Sequence, residues 1–395
     1  MAKFIDGLTA REKAQFLEAA RLGALWFLHN QNTPREPWGG VDQSADTGRF
    51  LYEYFPTTGY CRGTGVWSQA LAISSLLAAS QVPRLEGAAF REAALLGGSY
   101  LKSLQWLDTR TPEAVGGFRE HNPQDTWSYP RDGATGCFGL ALLARETGDQ
   151  EYLDRADLFC RWYHRYGSDS TGWPYDFYDF AARKGSCQTP GDWQAGGALC
   201  YYYTARVAKH PRWIDEGFKP VAERLLDIGD PQAVDGVAEG WHGESRITVG
   251  NDDFATVALL AAFLAFQDER YLDVARKRLA WMMSLQDADG SFPNNGGTCV
   301  TALTLLEFVD LVEQKGLPDR TDRMIEACLK AARQALLLQE RESRDRRAYG
   351  GLYGQSNYGV GRDRLHNRDT NYGIHLFLRL AGHKAPVLSA LAWEP

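Results

Sequence analysis

The chain has 395 residues and a formal net charge of −7, with 44% hydrophobic and 24% charged residues, so its length allows one large domain or two and its acidity argues against nucleic acid as the main partner. No run of 18 or more apolar residues offers a membrane span, and the start Met1-Ala-Lys-Phe-Ile-Asp-Gly7 lacks the apolar core of a secretory signal, so a cytoplasmic protein without a membrane partner is expected. The seven cysteines are odd in number and lack CxxC spacing, and no HExxH motif occurs. They read as buried thiols, with no metal and no cofactor expected.

Along the chain, hydrophobic spacing at three and four residues dominates and alternating strands are scarce. The first hairpin pairs a helix over 10–31, with Thr9 as its N-cap, with one over 65–81. The second pairs 86–106 with 134–146, and the third pairs 150–166 with 194–208. The fourth pairs 211–228 with 253–267, the fifth 269–287 with 299–314, and the sixth 321–340 with 371–381. In each pair the first helix is amphipathic and charged, as in Tyr271-Leu-Asp-Val-Ala-Arg-Lys-Arg-Leu-Ala-Trp281. The second is shorter and rich in Ala, Gly and Leu, and Phe254–Ala265 is apolar all round. This alternation predicts an all-α fold, an (α/α)6 toroid with outer helices around an inner ring, as a single domain over 1–395.

A repeat supports that reading. Outer helices end in aromatic or aliphatic residues with a Gln, followed by a glycine step: Gln31 with Trp38-Gly-Gly40, Gln105 with Gly116-Gly-Phe118, Gln286 with Gly290-Ser-Phe292, and Gln339 with Gly350-Gly-Leu-Tyr353. Connections from outer to inner helix are long (32–64, 107–133, 167–193, 229–252, 288–298 and 341–370), whereas the returns are short. Long loops in a compact domain usually bind or cover something. All of them fall on one rim, at the N-termini of the inner helices, where free N–H groups and helix dipoles favour anions.

The rim supplies the candidate chemistry. Asp132, Asp192, Asp253 and Asp369 stand where N-caps are expected, and capping alone would account for single ones. The doubled Asp252-Asp253 favours function, since one cap suffices. His121, His242 and His366 are the plausible bases, whereas His375, one turn into the last inner helix, reads as a core residue. Trp193 and Trp241 suit stacking on a flat ligand face, and the Arg-rich loops suit a carboxylate-bearing ligand.

Two resemblances follow. The Gln…Gly–aromatic repeats resemble those of terpenoid cyclases, and Asn251-Asp-Asp-Phe-Ala-Thr-Val-Ala-Leu-Leu260 looks like the class II cyclase block carrying the DxDD acid motif, with Gly250 at its first acidic position. The outer-helix starts Thr147-Gly-Asp-Gln-Glu-Tyr-Leu-Asp-Arg-Ala156 and Gln267-Asp-Glu-Arg-Tyr-Leu-Asp-Val-Ala275 resemble single-domain (α/α)6 polysaccharide lyases and glycoside hydrolases. The second resemblance implies an enzyme cleaving a uronate-containing glycan, by β-elimination ahead of hydrolysis. Arg246, Asn251 or Asn122 would neutralise the carboxylate, and His242 or Tyr358 would take the C5 proton. Arg131, Trp193, Trp241, His121, His366, Arg368 and Asn371 would hold the sugar. A hydrolase would instead pair Asp252 or Asp253 with Glu244 or Asp369. A non-standard cyclase with Asp252 as the acid, and a non-catalytic glycan-binding toroid, remain open.

Overall fold

The computed structural model describes residues 5, 7–35, 38, 46–83, 85–187, 192–230, 237–238, 247–248, 254–293, 297–354 and 363–394. Helix α1 (Ala10–His29) opens on Thr9, whose hydroxyl accepts from the Glu12 N–H while Glu12 reaches back to Thr9, a capping box that satisfies two N-terminal donors. The outer helices that follow are α3 (Gly87–Leu104), α5 (Gln150–Arg165), α8 (Lys219–Ile228, preceded by a π turn at Ile214–Phe218), α10 (Glu269–Ser284) and α12 (Asp322–Leu338). The inner helices are α2 (Val66–Ser80), α4 (Pro130–Thr147), α7 (Leu199–Ala208, preceded by the short α6, Asp192–Gly196), α9 (Phe254–Phe266), α11 (Thr298–Lys315) and α13 (Asn367–Leu380).

Burial follows the sequence pattern. In α10 only one stripe is buried, Tyr271, Leu272, Val274, Ala275, Arg278, Leu279 and Met282, whereas every residue of α2 except the last is buried. Each large apolar side chain so buried contributes about 1.5–3 kcal/mol. Each inner helix packs on the next, α2 on α4, α4 on α7, α7 on α9, α9 on α11 and α11 on α13, and α13 returns to α2. The ring is therefore closed, as the alternation of charged and apolar helices predicts. At one seam α2 and α4 nearly touch, because a Cβ on Gly139 would lie 2.8 Å from Ala70 Cβ.

The glutamine repeat is the fastening of the outer ring. Gln31 Nε2 donates to Gly48 O and Ala93 O, Gln105 to Gly116 O and Arg155 O, Gln286 to Gly290 O and Ala327 O, and Gln339 to Gly350 O and Ala19 O. Each amide thus ties its own loop to the next outer helix. The four glycines have φ between +93° and +100°, a backbone region that side chains disfavour. For the first unit the sequence reading pointed to Trp38-Gly-Gly40, and the partner is Gly48 instead.

Two inner helices begin earlier than predicted. Pro130 starts α4 with Tyr129 as its N-cap residue, and Asn367 starts α13 with the His366 side chain accepting from the Arg368 N–H. Asp132 and Asp369 consequently lie in the first turn and are not N-caps. The third inner helix is interrupted at Gly196–Gly197, where a Cβ would meet Phe254 Cβ at 2.6 Å and Tyr163 Oη at 2.4 Å respectively.

Short strands decorate the long loops. Strands β1 (Leu51–Phe55) and β2 (Tyr60–Gly63) form a hairpin, β3 (Trp127–Ser128), β4 (Phe177–Asp179) and β5 (Lys184–Ser186) form a second sheet, and β6 (Val237–Ala238) pairs in parallel with β7 (Ile247–Thr248). Strand β8 (Leu365–His366) adds to β1 antiparallel, with Glu53 opposite His366, and so joins the first long loop to the last.

On the opposite side the C-terminal segment crosses the ring. Trp393 packs against Tyr203 and Phe138, with centroids 4.6 and 5.7 Å away, under the Arg145 guanidinium at 4.2 Å. The buried Glu307 accepts from the Ala390 and Leu391 N–H groups at 2.8 Å each, and Glu394 meets Arg206 at 2.6 Å. Among the described residues, no helix is long and apolar enough to cross a membrane.

Candidate active site at the inner-helix entrances

The β1–β8 pairing and the first turn of α13 bring charge together at the rim. His366 is 3% exposed, with Nε2 3.7 Å from Glu53 Oε1 and Nδ1 3.3 Å from Asp369 Oδ2. Its ring packs edge-on to Tyr52, 4.7 Å between centroids. Burial pulls the His366 pKa below its ordinary 6.5, against the Asp369 and Glu53 carboxylates, so the imidazole is neutral near pH 7. Because Nδ1 accepts the Arg368 N–H at 3.2 Å, the neutral ring carries its proton on Nε2, on the side of Glu53. Glu53, itself buried, accepts from Arg364 at 2.8 Å and lies 3.7 Å from Arg62.

Arg368, in the same turn, lies over the Trp67 ring at 4.8 Å and donates to Tyr52 Oη at 3.3 Å. Trp67 stands at the start of α2 beside Tyr372, and its indole N–H has no hydrogen-bond partner among the described residues. Gly297 lets the Asp369 carboxylate approach α11, since a Cβ there would lie only 2.3 Å from Asp369 Oδ1.

A second acidic group flanks α2 on its other side. Glu120 is 2% exposed, its Oε2 accepts from the Tyr129 N–H at 2.9 Å, and its carbonyl receives the Val66 N–H at 2.7 Å. Burial, and then the neighbouring Asp132 carboxylate, raise its pKa well above the ordinary carboxylate range. Arg131 lies beside Asp132 at 3.3 Å and over the Phe254 ring at 5.6 Å. Below it, Arg131, Ala134, Thr135, Phe138, Gly196, Gly197, Leu199, Cys200, Tyr203 and Phe254 line a space of about 240 Å3, part of it open to solvent. Arg131 and Phe254 stand in the first turns of α4 and α9, and Phe138 and Tyr203 lie further along α4 and α7.

Of the residues predicted to act, His366, Arg368, Arg131 and His121 stand at this rim. His121 is half-exposed against Trp127, at 5.5 Å, with Nδ1 4.0 Å from Glu120. Asn122 is engaged otherwise, its amide donating to Asp125 Oδ1 at 2.9 Å within its own loop. Asn371 is a packing residue: it is buried, donates to Asn367 Oδ1 at 2.5 Å and receives Ser75 Oγ at 2.7 Å. His375 lies in the core between Ser74 and Ser75, at 3.1 and 3.2 Å. Trp241, His242, Glu244, Arg246, Asn251, Asp252, Asp253 and Tyr358 lie outside the described residues, as does the Trp193 side chain, although Trp193 belongs to α6. Sequence reasoning missed Glu53 and Glu120. The signal for Glu53 was a lone carboxylate in the otherwise apolar and aromatic run Leu51–Phe55.

No protein-family model and no curated protein matches the chain. Solved structures do. A cellobiose 2-epimerase from Bacillus thermoamylovorans superposes with a TM-score of 0.61 at 13% identity, over 83% of this chain and 92% of that one. An unsaturated glucuronyl hydrolase specific for heparin gives 0.63 at 12% identity, over 93% and 97%. An α-1,6-mannanase from Salegentibacter sp., in an inactive variant with two consecutive aspartates replaced by asparagine, gives 0.59 at 15% identity, over 93% and 99%. These likenesses establish the (α/α)6 toroid fold.

Proposed function

We propose that the chain is a carbohydrate-active enzyme that removes a C–H proton beside the carboxylate of a uronate residue in an oligo- or polysaccharide and proceeds by β-elimination. The observation that carries this reading is His366, a buried neutral imidazole at the rim between Asp369 and Glu53, with Arg368 in the same helical turn. Arg368, with Arg131 across the opening, pairs with the sugar carboxylate and makes its neighbouring proton more acidic. The neutral His366 imidazole takes that proton, and the two carboxylates stabilise the imidazolium that forms. Glu120, whose acid form is favoured by burial and by the neighbouring Asp132 carboxylate, delivers a proton to the leaving oxygen. Trp67 and Tyr52 supply faces for the ring, and Trp241, His242, Glu244, Arg246, Asn251 and Tyr358, outside the described residues, remain the candidates that the sequence offers. The heparin-specific glucuronyl hydrolase, a protein of similar fold that acts on an acidic sugar, supports this assignment. The charged rim suits a sugar better than the hydrocarbon chain of a cyclase.

The same base serves a second reading, removal of a proton beside the carbonyl of a reducing sugar, favoured by the similar cellobiose 2-epimerase. Hydrolysis would draw on Asp252 and Asp253, two consecutive aspartates, as are the two replaced in the inactive mannanase variant. One experiment separates them: incubation with uronate glycans and reducing disaccharides in deuterium oxide. Ultraviolet absorbance of an unsaturated uronate, lost in His366→Asn, is the expected result. Deuterium incorporation at a sugar carbon without that absorbance would replace it with the second reading, and release of saturated ends with the third.

A further inference from the structure

Three thiols converge where α4, α5 and α7 meet. Cys137, Cys160 and Cys200 come one from each helix, none is more than 1% exposed, and their Sγ atoms all lie within 4.8 Å of one another. Cys137 and Cys160 are 3.9 Å apart, and the Thr204 hydroxyl lies 3.5 Å from each. The chain spacing of these cysteines resembles no metal motif, so only folding brings them together. Carbohydrate chemistry at the rim makes no use of them.

We infer that this cluster binds a thiophilic cation with a filled d shell, Cu(I) held by three thiolates. Metal–sulfur bonds of about 2.3 Å in a trigonal set place the sulfurs about 4 Å apart, the separation Cys137 and Cys160 already have. A disulfide would need the two sulfurs at about 2.05 Å, far closer than they stand. The fourth neighbour at the cluster is the Thr204 hydroxyl, a poor substitute for the fourth Cys or His of a structural zinc site, whereas soft thiolates select Cu(I). Cys200 also lines the space below Arg131. Binding then releases one proton to solvent for each S–H that becomes a ligand, and no change of oxidation state is involved. The bound ion ties three helices of the second and third hairpins together.

The test is an anaerobic titration of the reduced full-length chain with Cu(I) in competition with a chromophoric Cu(I) chelator. Wild type takes one equivalent from the chelator, its X-ray absorption shows a sulfur shell at about 2.3 Å, and its melting temperature rises. Cys160→Ala and Cys200→Ala, made separately so that failure of one to fold leaves the other, take up none. Cys328→Ala, which removes a buried thiol elsewhere, still takes one equivalent. No uptake by wild type, a nitrogen or oxygen shell, or undiminished uptake by a folded cluster variant overturns the assignment.

Discussion

Glu53 and His366 face each other across two short antiparallel strands, carboxylate to imidazole at 3.7 Å, although one comes from the first long loop and the other from the last. The Glu53 charge raises the His366 pKa, and burial lowers it by more. Glu53→Gln therefore moves the imidazole pKa further down. If His366 is the base, the acidic limb of the kcat/KM profile shifts to lower pH in this variant. An unmoved limb, or a shift upward, would remove His366 from that role.

His366→Asn is expected to lower kcat by roughly 10²–10⁴-fold, the usual loss when a positioned base is removed, with substrate binding little changed. Arg368→Ala instead raises KM, because the Trp67 and Tyr52 contacts of its guanidinium orient a group that pairs with substrate. Steady-state kinetics on the two variants tests the split.

Asp252→Asn keeps the shape of the residue and any capping oxygen while removing the acid. A capping role predicts near-normal turnover with a small stability change. A catalytic role predicts the melting temperature almost unmoved and turnover largely lost. Measuring both on one preparation decides it.

His375 gives a stability prediction. Its pKa is pushed down to about 3 by burial, against an ordinary 6.5, so the unfolded chain binds this proton first as pH falls. The stabilisation is fully present above pH 6.5 and is lost as pH falls from there toward the folded value. Near pH 5 the loss from this one group is about 2 kcal/mol. Denaturant unfolding of His375→Gln should show a flatter fall in stability between pH 7 and 5 than wild type. Parallel curves would refute it.

Gln339→Ala leaves Ala19 O and Gly350 O without their buried donor, at the seam where the last outer helix meets the first. A loss of roughly 1–3 kcal/mol is expected, with catalysis by the folded protein unchanged. A change in the denaturation midpoint too small to measure would show that the seam is held by packing alone.

The toroid was legible because it rests on local patterns that repeat: the one-sided burial of α10, the all-round burial of α9 and the recurring glutamine. The site was legible only in part. His366, Arg368 and Arg131 announced themselves by lying at inner-helix entrances, but the starts of α4 and α13 were read about four residues late. Pro130 and Asn367 are the first helical residues, and Asp132 and Asp369 stand two residues inside. Glu53 acquires its meaning only when β8 pairs with β1, a contact between distant parts of the chain that no local pattern encodes. The three-thiol cluster was hidden for the same reason.

The C-terminal segment turns the ring from a pipe into a well. Trp393 lies beneath Phe138 and Tyr203, two of the side chains that line the space under Arg131, and Arg145, Arg206 and Glu307 pin the segment in place. On the proposed glycan reading, a ring closed beneath Phe138 and Tyr203 favours the tip of a strand over its middle, so a strand would be shortened from one extremity.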